Sequence, residues 1–157
     1  MFGWLINRYF NRQVAPQMER LFKASQLLIS GVIMEKLGFH NADDDASKNA
    51  IAARAAARTN YLFGHDPSPQ HAKLDLIAEH QAAHDWLQSN SNQVLRELVI
   101  QSLRVVATMG HGTGSGSLKP SAIRILEEFG GEFPNAPEPQ SYLELFKAAT
   151  SVVQSSS

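Results

Sequence analysis

Apolar residues recur at helical pitch along most of this chain, and the period-two alternation of a half-buried strand is absent. Between Pro16 and Gly38, the residues Met18, Leu21, Phe22, Ser25, Leu28, Ile29, Val32 and Ile33 keep one face. Pro16 is tolerated in a first turn, and Gly38 supplies a C-terminal cap. The segment NADDDASKNAIAARAAARTNYLFG carries acids at its front and Arg54 and Arg58 toward its back, an order that complements the helix dipole. Its alanines favour helix and permit close approach of a neighbour, and Gly64 ends it.

The break DPSPQ gives Ser68 as an N-cap and Pro69 as the first residue of the next helix, which runs to about Gln88. After SNSN, the run from Asn92 to Gly110 is apolar around so much of its circumference that it reads as the central helix. GHGTGSGS reads as a Gly/Ser linker, SAIRILEEF as a short helix closed by Gly130 and Gly131. A capping box of Ser141 and Glu144 opens the last helix. The expected fold is all-α: a compact single-domain bundle of six or seven helices over residues 1–154, with 155–157 a disordered tail.

Composition narrows the function. The 14 Lys and Arg against 15 Asp and Glu leave a formal charge of -1, so no global field draws the chain to nucleic acid or an anionic membrane. Without cysteine there is no disulfide, thiolate metal site or cysteine nucleophile. The longest apolar-rich run, Leu27 to Met34, is far below the roughly 20 residues of a membrane span. The start MFGWLINRYFNRQ lacks the basic-then-apolar order of a signal peptide, and the expected location is cytoplasmic.

His80 and His84 lie four residues apart in LIAEHQAAHDW and share a helix face, with Leu76 and Leu87 on one side of the pair and Ile77 on the other. That placement puts them inside an apolar stripe, while Glu79 and Asp85 point about a quarter-turn away. Two readings follow. The pair is half-buried and satisfied by hydrogen bonds. Alternatively it holds a divalent metal such as zinc, with a third ligand from His40, His65 or His111 or from the Asp43–Asp45 cluster.

Known catalytic patterns fail. His80 is followed by Gln81, not the Glu of a zincin, and no histidine has Glu three residues before it, as a ferritin-like carboxylate site needs. His84-Asp85 matches the centre of a metal phosphohydrolase pattern, but no later aspartate closes it. Lys119 follows Leu118, not the glycine of a P-loop, and Thr113 stands where a Gly-x-Ser-x-Gly motif wants its first glycine. The Arg54 and Arg58 ridge fits a solvated face or an ion pair with a neighbouring helix better than contacts to phosphates of a nucleic acid.

Phe2, Trp4, Tyr9 and Phe10 concentrate aromatic surface at the chain end, which makes 1–13 an N-terminal docking arm. The sequence therefore reads first as a non-enzymatic helical interaction module that binds another protein or itself. A metal-binding bundle, hydrolytic in one form, is the alternative, and a small-ligand-binding bundle lined by the central helices is a third.

Overall fold

A computed structural model describes residues 15–113, 118–131 and 137–155, except for the side chains of 15, 70 and 108–113. Within them lie six α-helices and no strand. The expectations placed on Phe2, Trp4, Tyr9 and Phe10, and on the side chain of His111, lie outside the described residues.

Helix α1 spans Ala15–Lys36 and α2 spans Asp45–Leu62. Between them Gly38 sits at φ 86°, the left-handed turn that a side chain resists, and a single 3-10 turn follows at Phe39–Asn41. Asp44 caps α2, its carboxylate accepting the Ser47 backbone N–H at 3.3 Å. The buried Ala55 and Ala57 keep α2 slim, and it packs against α1 on one side and α3, Leu76–Gln88, on another. Helix α4, Gln93–Thr113, lies across α1 and buries Leu95, Leu98, Val99, Ile100, Leu103 and Val105. Helix α5, Pro120–Phe129, rests on α4 and α2, and α6, Pro139–Ser155, on α4 and α1.

Three boundaries differ from the sequence reading. Pro69 does not open α3; it starts a single 3-10 turn, Pro69–His71, and α3 begins at Leu76 under an Asp75 cap whose side chain accepts the Ala78 N–H at 3.2 Å. A carboxylate three residues before a free amide made the better cap. Helix α6 begins at Pro139, ahead of the Ser141–Glu144 capping box, because proline suits the first helical position and the Tyr142 N–H already reaches Glu138 O at 3.0 Å. Helix α4 continues through Gly110 to Thr113, into what the sequence reading gave to the Gly/Ser linker.

The middle of the bundle holds a polar knot. The Tyr142 side chain of α6 is fully buried, and its hydroxyl lies 2.9 Å from Ser25 Oγ of α1 and 2.6 Å from Ser102 Oγ of α4. Each serine also donates within its own helix, to Leu21 O at 2.7 Å and Leu98 O at 2.6 Å. These are four short oxygen contacts among three hydroxyls, which carry only three protons between them. With both serines donating to carbonyls, the phenol can donate to just one of them. Burial nevertheless lifts the Tyr142 phenol above its ordinary pKa, against the opposing pull of Ser102 and Ser25, so it stays protonated.

No helix among the described residues is long and apolar enough to cross a membrane.

Candidate functional site

The paired histidines are on one helix but have different neighbours. The His80 ring stacks on Tyr61 of α2, with centroids 4.6 Å apart and planes at 19°. Burial lowers its pKa below the ordinary 6.5, and the charge of Glu79 opposes that shift in part. His84 turns instead toward α5. Its Nδ1 lies 3.3 Å from the Tyr61 hydroxyl and its Nε2 reaches Glu128 Oε2 at 2.9 Å, while its ring tilts against Phe129. In a neutral ring with Nε2 donating to the carboxylate, Nδ1 accepts from the phenol.

The expected apolar stripe is narrower than the wheel implied. Leu87 is fully buried, but Ile77, on the other side of the pair, is 84% exposed. Glu79 is the larger surprise. It is buried, and its two carboxylate oxygens take Arg54 Nε at 2.8 Å and Arg58 Nε at 2.6 Å. Of the two readings for the arginine ridge, an ion pair with a neighbouring helix is the one found. Burial alone would raise the Glu79 pKa; the two guanidinium hydrogen bonds outweigh it and hold the carboxyl below its usual range.

The candidate third ligands are dispersed. His40 lies in the 3-10 turn after α1 and meets Glu35 at 2.6 Å, with its side chain largely exposed. His65 follows Gly64 at the end of α2 and its Nε2 accepts the Gln26 amide of α1. Among the described residues, no three His, Asp or Glu side chains converge closely enough to hold a metal ion.

What does converge is a partly open cavity of about 200 Å³ between the end of α2, the start of α3 and the start of α5. Ala57, Leu76, Pro67 and Pro120 supply apolar wall; Asn60, Tyr61, His65, His71, His80, Lys119 and Ser121 supply polar groups. Asp66 stands at the rim, 3.4 Å from Lys119 Nζ. His65 and His80 thus share a space that His84 does not line.

Two local features build this cavity. Gly64, at φ 71°, brings the chain so close to α5 that a Cβ there would lie 2.7 Å from Ala122 Cβ. The 3-10 turn then folds His71 inward until it is 3% exposed. Its Nδ1 accepts the Ser68 backbone N–H at 3.4 Å, so the neutral ring carries its proton on Nε2.

Sequence reading named His65 and His80 but missed His71, Tyr61, Asn60 and Ser121, and met Lys119 only as a failed P-loop residue. His65, His71 and His80 follow no helical or metal-binding spacing, because a turn intervenes. The useful signal was the pair of prolines, Pro67 and Pro69, which forces a turn beside two histidines.

Compared with family models, curated proteins and solved structures, the chain gives no match.

Proposed function

We propose that this helical domain binds a small molecule in the cavity between α2, α3 and α5. The observation that carries this reading is the gathering of His71, His80, Tyr61 and Lys119, each from a different element, around one apolar-walled space. A ligand site of this kind combines apolar wall with a few placed polar groups. The volume of about 200 Å³ limits the occupant to a small metabolite or one end of a larger molecule. The test is a ligand-observed NMR screen of small metabolites, read again on Ala57→Trp, which fills the wall. Binders that compete with one another and are lost in Ala57→Trp support the reading. Absence of any binder, or binders indifferent to that substitution, overturns it.

Protein docking is a second reading, and Leu27 on α1 and Ile77 on α3 favour it. Both are large apolar side chains left mostly exposed, at 76% and 84%. Contact with another protein or a second copy of the chain would cover them. Sedimentation of the full chain beside the double variant Leu27→Asp, Ile77→Asp tests self-association; a monomer in both overturns self-association and leaves only docking to a different protein.

A further inference from the structure

We infer that the cavity takes an uncharged amide borne on a single flat ring, with the amide meeting Asn60 of α2. This rests on the cavity being a ligand site and names what the ligand presents to it.

The cavity is lined by three histidines, and the protein disfavours charge on each. His71 Nδ1 accepts the Ser68 backbone N–H at 3.4 Å, and His65 Nε2 accepts the Gln26 side-chain amide. A doubly protonated ring has no nitrogen left to accept, so both rings are neutral. Burial works against the charged form of His80 as well. The other charges on the wall, Lys119 and Asp66, lie at the exposed rim and answer one another at 3.4 Å. The lining therefore holds no unbalanced charge to draw in an anion or a cation. The bonds from Ser68 and Gln26 also occupy lone pairs that a metal ion would need, and among the described residues no three ligating side chains converge.

What the wall leaves open is neutral and two-sided. No hydrogen bond among the described residues engages the Asn60 carboxamide, the His80 ring or the Ser121 hydroxyl, and all three residues line the cavity. Each of these groups both donates and accepts. They come from α2, α3 and α5, the three elements that enclose the space. An amide has the same double character, and its N–H and C=O match the C=O and N–H of Asn60. A carboxylate only accepts and an amidinium only donates, so either ion leaves half of the Asn60 carboxamide unanswered.

The wall also favours a ring. Tyr61 and His80 enter it as a near-parallel stack with centroids 4.6 Å apart, and Pro67 and Pro120 add apolar surface. The Tyr61 hydroxyl is bonded to His84, which does not line the cavity, so Tyr61 offers its ring rather than its oxygen. An apolar cavity of about 150 Å³ admits benzene. The volume of about 200 Å³ here admits one ring with a small substituent.

The experiment titrates the isotopically labelled full chain at neutral pH, following backbone amide shifts. The probes are benzamide, benzoate and benzamidine, which share one shape and differ in charge, and 2-pyridone, whose amide lies within the ring. The expected result is saturable movement of the Asn60, Gly64 and Ser121 amides with benzamide or 2-pyridone. Benzoate and benzamidine bind about tenfold more weakly, because each brings an unpaired charge into the cavity. Whichever neutral ring binds more tightly shows whether the amide stands outside the ring or within it. Asn60→Asp replaces the carboxamide with an acceptor-only carboxylate of the same shape. It reverses the order, so that benzamidine binds more tightly than the neutral rings, which a general loosening of the fold does not produce. If Asn60→Asp does not fold, Asn60→Ala takes its place and weakens the neutral rings about fivefold, the loss of one hydrogen bond. A charged probe that binds wild type as tightly as the neutral rings overturns the amide assignment, and so does binding unchanged by the Asn60 variant. If none of the four probes binds but metabolites from the screen do, only this assignment falls; if nothing binds, the ligand-site reading falls with it.

Discussion

Arg58 of α2 donates its Nε–H to Glu79 Oε2 of α3 at 2.6 Å, and the Glu79 side chain is only 10% exposed. Arg54 holds the second oxygen at 2.8 Å, but from a side chain 40% exposed. Glu79→Ala strands a largely buried guanidinium and lowers stability by about 3 kcal/mol. Arg58→Met costs more than Arg54→Met, since screening already weakens the outer contact. A triple methionine variant recovers much of the loss, because an apolar contact carries no desolvation cost. Urea unfolding of the four variants checks the order.

Tyr142 provides a sharper case. Tyr142→Phe leaves two serine hydroxyls with two carbonyl acceptors, Leu21 O and Leu98 O, so no donor is stranded. The loss is about 1 kcal/mol, the net worth of one hydrogen bond. Tyr142→Ala opens a cavity between α1, α4 and α6 and costs about 4 kcal/mol. Equal losses in the two variants, by chemical denaturation, would refute the proton count.

Two of the left-handed glycines, Gly38 and Gly64, differ in what surrounds them. Gly38→Ala, at φ 86° with nothing near its added methyl, costs about 1 kcal/mol of backbone strain. Gly64→Ala bears the same strain and also drives its methyl into Ala122, so it costs about 1–3 kcal/mol more. It also perturbs the α5 amides in a spectrum, which Gly38→Ala does not.

Stability also depends on pH through α3. The folded His80 has a pKa below 6.5, so the unfolded chain binds its proton first as pH falls. The contribution of His80 is complete above 6.5 and is lost as pH drops below it toward the folded value. Glu79, held below its ordinary 4.5, adds stability that is present above 4.5 and disappears as pH falls through the folded pKa. His80→Gln flattens the stability profile just below pH 6.5 and leaves the acid limb, which Glu79→Gln reduces. Thermal melts across pH 3–8 distinguish the two.

The fold was legible because helical pitch, glycine caps and the proline at 16 act within a few residues of each other. The alanines of α2 announced close packing, and Ala55 and Ala57 are indeed buried there. Helix starts were harder: the sequence points to Ser68 as the cap before α3, and the folded turn places the start under Asp75 instead. The site was least legible. His71 reaches the cavity through a turn, and Lys119 arrives from beyond α4, so no local spacing joins them. Glu79 looked idle on its own helix because its partners belong to α2.

The cavity wall is assembled from residues 57–80 and 119–121, stretches separated by the whole of α4. An unfolded chain has no such wall, so any occupant adds RT ln(1 + [L]/Kd) to the native state alone. The melting temperature of this protein is therefore its own assay: compounds can be ranked by how many degrees they add, before any chemistry is known for them.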